Sequence, residues 1–419
     1  MFVFGIYYAP YVYMFTSSAL RNMDPSLEEA AEISGASAFA TLFSVTFPLI
    51  MPAIVSGMLL SFIVMLGIYG IPAVLGAPTN LSVLTTYIFK LTNWSPPLYN
   101  TAAAVAIILM VVTGLLVFLQ QKVLSGRSYT TVAGKAFRPR SLDLGPLALV
   151  HLRRSASSIS WSSWCCRSLA LIVAAFRKFM FIRDAASLFD MQAILADAFP
   201  QHLRQSADAA RRSTTRSRSA SSPRVVGGAL AFAIGYTIHR TNVAGRRSID
   251  VLSTLPVAIP GLVIGVAYLW AWIGIPGGLY GTIWILALAF IARFMPDTVK
   301  ALSTSFLQIH RELEEAAWVC GKGMLGTIRT IVLPLARPGV IAAMTLLFVL
   351  AIRELGSSLF LYTSNTMVMS VLLLDYYEGG NLGKTAAFSL VQTVLLGVLI
   401  GGANWLSRGA AQGSVARTG

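Results

Sequence analysis

Eight stretches of this chain run for about the length needed to cross a bilayer with few charges, and that constrains its folding more than any other feature. A membrane helix needs roughly 20 mostly apolar residues. The stretches are Phe2–Leu20, Ile50–Leu75, Thr101–Leu119, Val225–Ile238, Val251–Ile275, Leu279–Met295, Gly339–Tyr362 and Thr385–Leu406. Val225–Ile238 is the shortest and is marginal alone. A ninth, near Gly145–Phe176, is interrupted by Arg153, Arg154 and Arg167. Composition agrees: 56% of the 419 residues are hydrophobic and 12% are charged. A soluble protein carries about 25% charged residues, so this chain cannot cover a water-facing surface. The fold class expected is all-α, a polytopic transmembrane helical bundle of 8 or 9 spans.

The net charge of +15 would suggest nucleic acid in a soluble protein. Its placement points instead to membrane topology. Gln120–Arg140 holds Lys122, Arg127, Lys135, Arg138 and Arg140, and His239–Arg247 holds Arg240, Arg246 and Arg247. Basic loops stay on the cytoplasmic side. Alternation then puts Gly76–Asn100 and Thr363–Lys384 outside, and Arg21–Pro48 and His310–Pro338 inside. No nucleic-acid partner is expected.

Self-comparison finds one internal repeat, offset by 286 residues from Leu27 to Leu313. Leu27-Glu28-Glu29-Ala30-Ala31 recurs as Leu313-Glu314-Glu315-Ala316-Ala317. Gly35 matches Gly321, Pro48 matches Pro334, Pro52 matches Pro338 and Pro10 matches Pro296. Both copies lie in inner loops followed by a span. Asp24-Pro25 makes a good helix start, and Glu28 and Glu29 suit the first turn. The second copy has His310-Arg311 in place of the Asp-Pro cap. Gly35 can end the helix, a second helix can run to Phe47, and Pro48 and Pro52 are expected to stop it before the next span.

Glu-Ala-Ala, then Gly four residues on and Pro thirteen later, resembles the coupling-loop motif of permease subunits of bacterial binding-protein-dependent ABC importers. The resemblance covers most of Phe2–Phe118 and Val225–Leu406. It implies two homologous permease repeats in one chain, without enzymatic activity of its own. It further implies two docking helices for a cytoplasmic ABC ATPase dimer, carried by Glu28, Glu29, Ala30, Ala31 and Gly35 and by Glu314, Glu315, Ala316, Ala317 and Gly321. A periplasmic substrate-binding protein would deliver substrate, and the chain would sit in the lipid bilayer of the bacterial inner membrane. The fused arrangement, and the stretch Arg353-Glu354-Leu355-Gly356-Ser357-Ser358 to Asp375–Gly379, resembles the ferric-iron importers. Thiamine, polyamine and phosphonate permeases are the alternatives. A non-functional remnant and a membrane-embedded enzyme are the readings from other classes.

Other candidate sites are weaker. Glu378–Thr385 is nearly a phosphate-binding loop, but Glu378 stands where that loop needs Gly, and no strand precedes it. No cofactor is therefore expected in this chain, ATP being bound by the partner subunit. Arg353 and Glu354 fall inside an apolar run, where ionisable residues are costly. They are candidate translocation-pathway residues, with a snorkelling pair near the outer interface as the alternative. Tyr362, Asp375, Tyr376, Tyr377 and Glu378 could offer oxygen to a hard cation, but interface packing is the commoner role. No metal site is expected. Cys165, Cys166 and Cys320 make no disulfide framework.

The expected organisation is a partial first permease repeat at 1–120, a basic linker and degenerate segment at 121–224, a second repeat at 225–406 and a cytoplasmic tail at 407–419. Met1 corresponds to Ala287, so the first repeat is expected to lack about three spans at its start. Within His151–Arg224, twelve basic and four acidic residues contribute 12 − 4 = +8 of the net charge. Its Ser- and Arg-rich part reads as disordered. Val150–Ser168 and Met191–Pro223 are read as translated out of frame.

Overall fold

The computed structural model describes residues 2–21, 23–125, 165–166, 168–175, 221–275, 278–364 and 366–415. Most of the expected linker, 121–224, and nearly all of both segments read as out of frame lie outside the described residues. Among the described residues every regular element is helical. They divide between two compact units, one within Met1–Ser162 with Ala258–Pro260, the other within Ser163–Val257 and Gly261–Gly419.

The first unit comprises α1 (Phe2–Arg21), α2 (Ser26–Ile33), α3 (Ala38–Thr41), a π-helical segment (Leu42–Thr46), α4 (Phe47–Gly67), α5 (Gly70–Gly76), α6 (Leu84–Thr92) and α7 (Tyr99–Ser125). Helix α4 packs between α1 and α7, and α6 lies on α7. Ile88, Leu91, Ala102, Ala106 and Leu109 are buried. At Gly57 a methyl group would come to 3.0 Å of the Val12 Cα, so a larger residue there would press α1 away from α4.

The second unit comprises α8 (Ser221–Arg240), α9 (Arg246–Thr254), α10 (Gly261–Ile273), α11 (Ile283–Gln308), α12 (Arg311–Val319), α13 (Met324–Thr327), a π-helical segment (Ile328–Val332), α14 (Leu333–Arg353), α15 (Ser358–Leu361), α16 (Met369–Glu378) and α17 (Leu382–Val415). Helices α8, α11 and α14 enclose a core of Ala231, Ile291, Met295, Val299, Leu302, Phe306, Val332, Ala336 and Ala343. Phe306 is fully buried and meets Phe232 edge-on at 5.2 Å. Helix α17 packs on α14 and α16, and its backbone continues through most of the expected tail.

The repeat holds at the level of elements. Helices α3 and α13, the two π segments, and α4 and α14 have bounds that differ by the same 286 residues. The prolines do not stop the helix as expected: Pro48 and Pro334 sit in the first turn of α4 and α14, and Pro52 and Pro338 lie inside them. Proline removes a backbone donor and clashes with the carbonyl one turn back. The π segment widens the turn directly before each proline, which relieves that clash.

Among the described residues four helical stretches are long and apolar enough to cross a membrane: Phe39–Gly67, Tyr99–Val123, Met324–Arg353 and Leu382–Trp405. A fifth is counted if Arg246–Ala258 and Gly261–Ile273, bent by 108°, form one broken span. The sequence led to an expectation of eight or nine. The four lie in the runs Ile50–Leu75, Thr101–Leu119, Gly339–Tyr362 and Thr385–Leu406, and two of these runs hold breaks that hydropathy does not register. The run Ile50–Leu75 stops being one helix at Ile68, and Gly339–Tyr362 stops at Glu354, both in extended backbone. Between 17% and 28% of each span window is buried. The rest is apolar surface, as suits lipid or other helices.

Candidate coupling helices and helix-break site

Helices α2 and α12 begin differently. The Asp24 carboxylate accepts the Ser26 N–H at 3.0 Å, a cap formed as the sequence suggests. His310 precedes α12 and makes no side-chain cap. Both helices end alike. Gly35 has φ +85° and Gly321 φ +78°. The Gly35 N–H donates to the Glu32 carbonyl and the Ala36 N–H to the Ala31 carbonyl; Gly321 and Lys322 donate likewise to Trp318 and Ala317. This closure needs a left-handed residue just past the helix, and glycine takes that conformation without strain.

The motif residues divide by face. Glu28 and Glu314 are buried, Ala317 is buried and Ala31 is half-buried. Glu29, Ala30, Glu315 and Ala316 are exposed, as are Gly35 and Gly321. Large apolar side chains stand out at matched positions: Ile33 is 87% exposed and Val319 89%, Phe39 72% and Leu325 82%. The stretch Phe39–Gly67 has 29 residues, about 44 Å of helix, against roughly 30 Å of hydrocarbon. Part of it extends beyond the membrane core, next to α2.

The two buried glutamates are held differently. Thr46 in the π segment donates its hydroxyl to Glu28 Oε1 at 2.6 Å. The residue matching Thr46 is Val332, which offers no donor. Glu314 instead pairs with Arg240 at 3.3 Å, both side chains about 95% buried, and accepts a hydrogen bond from the Tyr236 hydroxyl at 3.2 Å. Arg240 also donates to the Phe306 and Ile309 carbonyls at the end of α11. From sequence, Arg240 belongs to a basic loop on the cytoplasmic side. It is the last residue of α8, turned inward, and the signal for this was only its place at the edge of an apolar run.

Arg353 is exposed at the end of α14 and Glu354 is half-buried at the break. Glu354 Oε1 accepts the Ser357 N–H at 3.1 Å and the Ser357 hydroxyl at 3.2 Å. The Glu354 carbonyl accepts hydroxyls from Ser358 at 2.8 Å and Ser370 at 2.6 Å. In the first unit the Ile68 carbonyl accepts the Thr85 hydroxyl at 2.9 Å. Both breaks thus have freed backbone satisfied by a hydroxyl from a short helix further along the chain, α6 or α16, as apolar surroundings require. Only the second adds a carboxylate. A methyl group on Gly261, at the start of α10, would fall 2.4 Å from Glu354 Oε1, so the carboxylate lies directly on that helix start.

In the outer stretch, burial first and then the charge of Asp375 push the Glu378 carboxyl above its usual range. Among the described residues no three His, Cys, Asp or Glu side chains are grouped to hold a metal ion.

Residues 1–128 and 227–410 match the family described as "Binding-protein-dependent transport system inner membrane component". The chain belongs to this family. It is 27% identical over 402 residues to the ferric transport system permease of Actinobacillus pleuropneumoniae, covering 95% of this chain and 57% of that protein. A Haemophilus influenzae protein named as a ferric transport system permease is 27% identical over 364 residues, covering 87% of this chain and 56% of its own length. A protein of Salmonella paratyphi A named for 2-aminoethylphosphonate transport is 26% identical over 154 residues, covering 37% of this chain and 58% of that protein. The chain thus spans little more than half the length of these relatives. The matched residues include α2, α12 and both helix breaks.

Proposed function

We propose that this chain is membrane-spanning permease of a bacterial ABC importer, with ferric iron as its cargo. Helices α2 and α12 dock on a separate cytoplasmic ATPase dimer, ATP is bound there rather than here, and the chain moves cargo across the inner membrane by alternating access. A periplasmic binding protein presents the cargo on the other side. The observation carrying this reading is the matched pair of faces: the same apolar positions, Ile33 with Val319 and Phe39 with Leu325, project beside the same closed helix end. Exposed apolar side chains of this kind mark an interface. The ferric relatives along most of the chain support iron; the 2-aminoethylphosphonate relative, over a shorter stretch, supports phosphonate as the second reading.

The test is co-expression with its ABC ATPase subunit, purification of the complex, and ATP hydrolysis with loaded binding protein. Stimulation by the ferric-loaded protein, and not by a phosphonate-loaded one, is the expected result. Ile33→Asp and Val319→Asp should each weaken ATPase capture by about tenfold or more, as loss of an interface anchor does. A chain that captures no ATPase, or captures it equally with both substitutions, refutes the docking assignment.

A further inference from the structure

The two coupling helices are tied to the rest of their units by different bonds, and the second tie carries an inference of its own, resting on the docking reading above. Glu28 is held by Thr46, the last residue of the π segment and directly continuous with α4. Its tie runs forward, into the span that follows. Glu314 has no hydroxyl at the matching position. Its partners, Arg240 and Tyr236, both lie on the last turns of α8, 74 and 78 residues earlier in sequence. Its tie runs backward.

Arg240 does more than neutralise Glu314. The same guanidinium donates to the carbonyl of Phe306 in the last turn of α11, which also accepts the Ile309 N–H, and to the carbonyl of Ile309 just past it, at a helix end where carbonyls lack intrahelical partners. Three elements, α8, α11 and α12, therefore meet on one planar, multidentate cation. Such a fork fixes direction as well as distance, which a lysine would not. Phe306 packs edge-on to both Phe232 and Tyr236 of α8, so α8 and α11 are already joined by rings on the membrane side of Arg240. A displacement of α12 is then passed to a preassembled pair of helices.

We infer that Arg240 is a positioning residue for coupling: it locks α12 to α8 and α11, so that the three move as one body when the ATPase moves α12. The first unit, with its forward tie through Thr46, moves α2 with α4. The two docking points would then drive different helices of their units, although their outward faces match.

The experiment uses the full chain with its ATPase in proteoliposomes. Cys165, Cys166 and Cys320 are replaced by Ser, and spin labels are placed at the exposed positions Val243, just past α8, and Glu312, in the first turn of α12 and outside the named docking positions. In the otherwise unaltered chain the distance between them should be the same without nucleotide and with ATP bound. The comparison is Arg240→Met/Glu314→Met, which removes the pair without leaving a buried lone charge and so keeps the fold. There the distance should change on ATP binding, and cargo moved per ATP hydrolysed should fall about tenfold. Arg240→Lys should fall between the two. A distance that changes with ATP in the unaltered chain, or a double variant that couples as well as that chain does, overturns the inference and leaves docking intact. Failure of the unaltered chain to capture the ATPase overturns both.

Discussion

Glu28 and Glu314 occupy matched positions, yet their loss should be felt unequally. Glu314→Ala strands the Arg240 guanidinium in a site that excludes water, at about 3–5 kcal/mol. Glu28→Ala strands only the Thr46 hydroxyl, at about 1–2 kcal/mol, since a threonine in a helix can turn to its own backbone. Thermal unfolding in detergent micelles should rank the two in that order, and equal shifts would contradict the arrangement. Glu354→Gln gives a second test. The amide oxygen still accepts from Ser357, so the variant should assemble normally. A drop in uptake of about tenfold is expected if the charge lies on the translocation pathway, as intramembrane carboxylates commonly do. Unchanged uptake would leave Glu354 only the task of closing the break. The sequence made Glu28, Glu314 and Glu354 legible as unusual residues. It did not show that Glu29 and Glu315 would face solvent while their neighbours turned inward, because adjacent helix residues point about 100° apart and the inward direction is set by tertiary packing.

Among elements, the crossing of α11 and α14 should be the least tolerant of added volume. A methyl group on Gly339 would sit 1.8 Å from the Ser305 hydroxyl and 2.6 Å from its Cβ. Gly339→Ala must push the helices apart, at about 1–3 kcal/mol, whereas Gly397→Ala on α17, with open space around it, should be neutral or slightly stabilising. Comparing the unfolding midpoints of the two variants checks this. The matching crossing in the first unit uses Gly57, and 57 + 286 is 343, an alanine; the second unit has moved its tight contact one turn earlier, to Gly339. Here the sequence was a partial guide. Repeat spacing, the two-helix segments after Asp24 and His310 and their glycine ends were visible, since they depend on local chemistry. The continuous passage of the helix through Pro48 and Pro334 was not, because proline reads as a stop unless a widened turn precedes it. Nor were the breaks at Ile68 and Glu354, which no Pro marks and which distant hydroxyls from Thr85 and Ser370 make affordable.

At the scale of the whole molecule, the membrane topology makes a prediction that does not depend on cargo. Cys320 is exposed beside the closed end of α12, on the side assigned to the cytoplasm by the basic loops. With Cys165 and Cys166 replaced by Ser, a membrane-impermeant thiol reagent should label Cys320 in inside-out vesicles and not in intact cells. A cysteine introduced at Trp94, exposed in the stretch assigned outside, should show the opposite pattern. Labelling of both from one side would refute the alternation. Hydropathy and charge carry this assignment, while the breaks at Ile68 and Glu354 were not legible because hydropathy measures apolar length and not helix continuity.

The π segments ahead of α4 and α14 carry one further implication, for how such a chain tolerates change in its length. A single π turn holds one residue more than an α turn spanning the same rotation. Deleting one residue from 42–46 or 328–332 would let the turn relax to ordinary α geometry, with the faces of the following span still pointing where they did. The same deletion ten residues later would swing the remainder of the span by about 100° and present its core face to lipid. These two short stretches are therefore the places where coupling loop and span can slip past one another in sequence without losing phase.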